Sequence, residues 1–131
     1  MKIINTRLHG KIDYVAGLLF IASPWIFDFR ESDAATWVLM AIGLLSVALS
    51  MFTDYEGGIV RSIPMRVHLT TDIFAGAFLA SSPWLFGFAQ DVFLPHLLMG
   101  LFQVLAGLLT SAHPSHDQSR SLIDPKAEGI S

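Results

Sequence analysis

The chain has 131 residues, 53% of them hydrophobic and 15% charged, with a formal net charge of −3. Soluble domains carry nearer a quarter charged residues, so this balance points to lipid, and with so small a charge and no basic run a nucleic-acid partner is excluded. Cysteine is absent, which removes disulfides, thiolate metal sites and cysteine nucleophiles.

In chain order, Met1 to Lys11 is basic through Lys2, Arg7 and Lys11. The apolar run that follows holds Pro24 and Trp25, has no small-residue cleavage site and returns later in the chain. It is therefore read as a retained first span and not as a signal peptide. Ala34 to Thr53, Ile73 to Gln90 and Val92 to His116 are uncharged for 20, 18 and 25 residues, and about 18 or more mainly apolar residues mark a transmembrane helix. Spans are predicted at about 12–29, 34–53, 69–89 and 92–112. Residues 57–67, with Gly57-Gly58 and Pro64, read as a linker. Residues 113–131 read as a polar tail, mobile or lying on the cytoplasmic surface. Lys and Arg concentrate before the first span and in the central linker, with Arg30 alone in the first outer loop and none in the second. That places both termini and the linker in the cytoplasm, in a membrane expected to be a prokaryotic inner membrane.

Ser23-Pro24-Trp25 returns 59 residues later as Ser82-Pro83-Trp84, and the same shift superposes His9 on His68, Asp13 on Asp72, Gly17 on Gly76, Phe27 on Phe86 and Phe29 on Phe88. The chain is thus two copies of one hairpin, 1–56 and 68–112. Each copy has two spans, so the copies are parallel and not inverted. The second halves match poorly at this shift, sharing Leu39/Leu98, Met40/Met99 and Leu49/Leu108. The expected fold is an all-α membrane protein, a compact four-helix bundle. Small and polar faces would pack it: Gly17 and Gly76 on the first and third spans, Gly43 on the second, and Gly100, Gln103 and Gly107 on the fourth. Proline inside each of the two Ser-Pro-Trp helices predicts a kinked, anchoring turn with the tryptophans at the interface.

The ionisable candidates are two pairs, His9/Asp13 and His68/Asp72, each four residues apart. As a site, each pair would relay protons or bind a cation at the cytoplasmic ends of spans 1 and 3. As structure, the aspartates would cap helix starts and favour the macrodipole. Asp13 and Asp28 are only 14 residues apart, too few to span a bilayer as helix, so a carboxylate would lie below the headgroups. His96 and Gln103 would line a polar cavity or serve as a helix start and an interhelical hydrogen bond. His113 and His116 offer only two nitrogen ligands, no closed zinc site. No haem-pocket pattern surrounds the histidines.

The repeated pattern of Asp13, Gly17, Ser23-Pro24-Trp25 and Asp72, Gly76, Ser82-Pro83-Trp84 resembles the SPW-repeat family of small bacterial and archaeal membrane proteins. The resemblance covers about residues 9–112. It implies membrane location and the two-repeat architecture, and brings no activity with it. No catalytic constellation, cofactor motif or metal set is legible, so an enzyme is not expected. The leading expectation is a non-enzymatic scaffold or partner-binding module, with lipid and a homo-oligomer or another membrane protein as partners. The alternative is an oligomeric proton-coupled transporter or channel using the His/Asp pairs.

Overall fold

The computed structural model describes residues 2–114 and residue 123. It contains four helices, α1 (Thr6–Ile26), α2 (Asp33–Phe52), α3 (Met65–Leu85) and α4 (Leu94–Leu109), and no strand beyond two isolated bridges among the described residues. Each hairpin packs tightly within itself, α1 on α2 and α3 on α4; α2 also packs on α3, while α1 barely meets α4. The helices therefore stand in a ring with α1 and α3 on a diagonal.

Helices α1 and α3 begin well before the predicted starts at 12 and 69. Asn5 caps α1 by accepting the Leu8 N–H at 2.8 Å, so the helix includes the polar residues from Thr6 to Lys11 that an uncharged-run criterion leaves out. At 21 residues, α1 is roughly 31 Å long, enough for a hydrocarbon core of about 30 Å. The apparent shortage between Asp13 and Asp28 disappears, because Asp28 lies beyond the helix. Asp13 is the eighth residue of α1 and Asp72 the eighth of α3, so neither caps a helix.

The Ser-Pro-Trp motif is a helix stop and not a mid-span break. Phe27 N–H donates to Ser23 O at 2.9 Å and Phe29 N–H to Pro24 O at 3.0 Å, with Asp28 between them at φ 54°. The first is the last bond of the helix, and the second is the 6→1 bond of a Schellman cap with its left-handed residue. The second copy repeats them through Phe86, Phe88 and Gly87 at φ 75°. Proline in the last turn leaves one carbonyl without its donor; in the second copy Ser82 Oγ donates to that carbonyl, Leu79 O, at 2.7 Å, whereas Ser23 Oγ bonds Leu19 O at 2.6 Å. Phe29 and Phe88 turn into the core, and Trp25 and Trp84 remain more than half exposed at 55% and 57%.

The second halves of the repeats are related by a shift of 57, not 59. A Cβ on Gly17 would lie 2.9 Å from Gly43 O and 2.5 Å from Val47 Cγ2; on Gly76 it would lie 2.7 Å from Gly100 O and 3.0 Å from Val104 Cγ2. Gly43 thus corresponds to Gly100, Val47 to Val104 and Thr53 to Thr110. The stretch from Pro24 to Gly43 is thus two residues longer than that from Pro83 to Gly100, which explains the poor match at 59. The repeat also extends upstream of the helices. Ile63 N–H donates to Phe52 O at 2.9 Å and Ile4 N–H to Leu109 O at 3.1 Å, with bridges Thr53–Ile63 and Ile4–Thr110. The N-terminal segment thus closes onto the end of α4 as the linker closes onto the end of α2, supplying donors to carbonyls that a helix end leaves free.

The distribution of side chains is inverted relative to a soluble bundle. Gly17, Ser46, Ser50, Thr53, Thr110, the three helix histidines, Asp13 and Asp72 are buried beside Phe20, Leu39 and Leu79, while Val15, Leu18, Trp37, Leu44, Phe74 and Leu98 face outward. Helix α2 is long and apolar enough to cross a membrane; α4 is apolar but only 16 residues long.

Two glycines separate strain from packing. At Gly87 a Cβ meets nothing within 4 Å, whereas at Gly100 it would lie 2.5 Å from Gly76 O. Gly87→Ala is expected to cost about 1 kcal/mol from its left-handed backbone alone. Gly100→Ala is expected to cost more, about 2 kcal/mol or above, because α3 and α4 must separate. Thermal unfolding of both variants in detergent measures the difference.

Candidate functional site

The two His/Asp pairs predicted separately form one cluster. Because α1 and α3 lie on a diagonal and run in the same direction, the fourth and eighth residues of each point at the bundle axis at the same level. His68 Nε2 lies 2.8 Å from Asp13 Oδ2 and 3.1 Å from Asp72 Oδ2; His9 Nε2 lies 3.3 Å from Asp13 Oδ2 and 3.1 Å from Asp72 Oδ2. The two Nε2 atoms are 3.4 Å apart. All four residues are buried, the histidines completely. The shortest contact joins residues of different repeats, which no local spacing displays.

A second ring of side chains fixes the first. Thr53 Oγ1 donates to Leu49 O at 2.6 Å, and Thr110 Oγ1 donates to Ala106 O at 2.6 Å. A hydroxyl has one proton, so each threonine must accept from the histidine beside it: His68 Nδ1–H at 2.7 Å from Thr53, and His9 Nδ1–H at 2.8 Å from Thr110. Both imidazoles therefore carry a proton on Nδ1 and aim Nε2 at the centre. Ser50 Oγ donates to Asp13 Oδ2 at 2.7 Å. Gln103 Nε2 reaches Asp72 Oδ1 at 3.4 Å and Ser46 Oγ at 3.2 Å, leaving Gln103 Oε1 buried without a hydrogen-bond partner.

Above this end of the bundle the linker folds over α1. Thr6 Oγ1 donates to Glu56 Oε2 at 2.6 Å and Tyr14 OH to Gly57 O at 2.9 Å. Tyr55 is fully buried, its ring edge-on to His68 with centroids 6.1 Å apart, and burial pushes its phenol above the usual range. Gly10 makes the room, since a Cβ there would run into the Tyr55 ring. At the corresponding places in the second repeat stand Leu69 and Ala112, which join the same apolar cluster. Large and small are exchanged between the repeats, so the volume is filled on both sides of the pseudo-twofold axis.

The remaining candidates separate from this centre. His96 donates from Nε2 to Ala35 O at 2.8 Å and packs against the Phe29 and Phe88 rings. It ties the start of α2 to the start of α4 at the end of the bundle away from Gln103. Gln103, expected only to pack α4, belongs to the quartet's surroundings. Gly107 gives α4 its close approach to α3, where a Cβ would lie 3.1 Å from Leu69 O. His113 is exposed, and His116 lies outside the described residues, as does most of the predicted tail. Sequence reasoning missed Ser50, Thr53 and Thr110 as supports; the signal was their position at the ends of the second halves, hidden by the change of register.

The model of the SPW repeat domain matches residues 7–110. The chain belongs to the SPW repeat family. The match begins in the first turn of α1 and ends at Thr110, so every residue of the quartet and of its supporting ring lies inside the SPW repeat domain. Comparison with characterised proteins and with solved structures returns no match.

The threonines give a direct test of the assigned proton positions. Thr53→Val and Thr110→Val each leave a buried Nδ1–H without an acceptor and are expected to destabilise the protein by about 1–3 kcal/mol. Nitrogen chemical shifts of labelled histidine are expected to show His9 and His68 protonated at Nδ1 in the parent protein.

Proposed function

We propose that this SPW repeat protein is a four-span integral membrane protein whose working part is the buried quartet, a centre that binds and passes a small cation. The observation that carries the reading is the convergence of His9, His68, Asp13 and Asp72 from two repeats onto one point. Two buried carboxylates need compensating positive charge, because an unpaired charge in a dry interior costs several kcal/mol. Glycine contacts already hold each hairpin without it. Intramembrane ionisable residues mark ion pathways by default.

Membrane location is supported by the family and by the apolar outer surface. Four spans with both termini cytoplasmic follow from the basic residues at one end of the bundle. The quartet then lies near the cytoplasmic end, under the linker that carries Tyr55. Because the chain lacks cysteine, single cysteines report topology: Glu31→Cys and Gln90→Cys are expected to label from outside intact cells, and Arg61→Cys only after permeabilisation. The reverse pattern removes this orientation.

The activity is measured on protein reconstituted into liposomes, with interior dyes for protons and for divalent metal ions. The parent is expected to move a cation, and Asp13→Asn to abolish the movement. A tight, inert proteoliposome overturns the reading.

The partner-binding role expected from the sequence has one observation in its favour. Helices α1 and α4 splay apart around an apolar groove of ≈ 480 Å³ lined by Val15, Leu19, Leu98 and Phe102, whereas α2 and α3, their pseudo-equivalents, pack together. Under that role Val15→Cys crosslinks the protein to a neighbour in native membranes, and its absence from any crosslinked species argues against it.

A further inference from the structure

We propose that the cation taken by the quartet is a divalent transition-metal ion of the zinc class, held by His9 Nε2, His68 Nε2, Asp13 Oδ2 and Asp72 Oδ2. The inference rests on the reading of the quartet as a cation centre and names its ligand.

Three observations carry it. The first is the donor set and its spacing. These four atoms lie within 4.8 Å of one another, and the five separations described above run from 2.8 to 3.4 Å. Two nitrogens and two oxygens bonded at about 2.0–2.1 Å to one tetrahedral ion stand roughly 3.3–3.4 Å apart. Outward shifts of a few tenths of an ångström bring those five to that spacing, while the two carboxylate oxygens, the widest pair at up to 4.8 Å, must close towards each other.

The second is the orientation of the imidazoles. A metal ligand must offer a lone pair, and a ligating histidine usually donates its other N–H to a fixed acceptor. Thr53 and Thr110 are such acceptors, each with its own proton committed to a backbone carbonyl. Both Nε2 atoms are thus directed at the centre by partners outside it. The carboxylates are held likewise, Asp13 by Ser50 and Asp72 by Gln103.

The third is charge. Two neutral imidazoles, two carboxylates and one divalent ion sum to zero, the same balance that two imidazolium ions give these carboxylates with no metal bound. The set also selects among ions. Calcium and magnesium take six or more oxygen ligands, mostly with water, and copper(I) prefers thiolate or thioether sulfur. An imidazole and carboxylate set of four suits zinc, with cobalt(II) as its spectroscopic substitute. A small cavity bounded by Asp13, Ser46 and Gln103 adjoins the quartet and abuts the α1/α4 groove, sharing Ile12, Ala16, Phe20 and Phe102 with it.

The test uses the full chain purified in detergent, stripped with a chelator and then titrated with zinc and with cobalt(II). The expected result is one zinc per chain, a rise in melting temperature on binding, and the intense visible absorption of tetrahedral cobalt(II). Magnesium and calcium leave the melting temperature unchanged. Asp13→Asn and Asp72→Asn are expected to weaken zinc binding at least 100-fold, and Thr53→Val by 10- to 100-fold, while His113→Ala binds as the parent does. Should the aspartate variants fail to fold, the cobalt spectrum of the parent and the Thr53→Val affinity decide the matter alone. No zinc retained, a weak octahedral cobalt spectrum, or binding indifferent to Thr53→Val overturns the proposal. Proton movement through the parent without any metal binding overturns the metal site and leaves the cation centre standing; a bound metal with no ion movement does the reverse.

Discussion

The structure depends on four buried ionisable side chains meeting at the axis of the bundle. His9 and Asp13 come from the first repeat, His68 and Asp72 from the second, and each histidine meets the aspartate of the other repeat as well as its own. In lipid there is little hydrophobic gain from bringing two hairpins together. Polar contacts between them therefore carry weight that they lack in water, although each also brings a desolvation cost. The quartet joins the repeats across the diagonal of α1 and α3, beside the packing of α2 on α3 and opposite the open α1/α4 seam.

The rest of the fold serves this placement. Schellman caps end α1 and α3 at one face of the bundle, and Asn5 starts α1 at the other, which sets the depth of the fourth and eighth residues. The close glycine contacts bring each second helix near enough for Ser50, Thr53, Gln103 and Thr110 to reach the centre. The N-terminal segment and the linker close the helix ends alike, so the threonines at those ends are held from both sides. Tyr55 covers the centre on the linker side, in a space that Gly10 leaves for it.

Much of this was legible in the chain. The 59-residue shift identified the hairpins, and the His/Asp pairs were visible as i, i+4 neighbours. Their convergence was not legible, because it depends on two helices meeting across the bundle, and helical spacing describes one helix at a time. The supports were hidden for a simpler reason: two extra residues between the Ser-Pro-Trp motif and the second-helix glycine of the first repeat change the shift to 57, and Thr53 and Thr110 align only in that register. The helices α1 and α3 extend upstream of the predicted spans because Arg7, Lys11 and His68 interrupt hydropathy without interrupting a helix. Proline in the Ser-Pro-Trp motif looked like a kink, and only the left-handed backbone at Asp28 and Gly87 shows it to be part of a stop.

The central claim is that histidine and aspartate of opposite repeats are energetically coupled. A double-mutant cycle in detergent, with Asp13→Asn, His68→Gln and the combined variant, measures that coupling without reference to any activity. The account expects each single change to be costly and the second to add little, a coupling of about 1.5 kcal/mol or more. Additive costs would mean that the repeats do not meet through these residues and would contradict it.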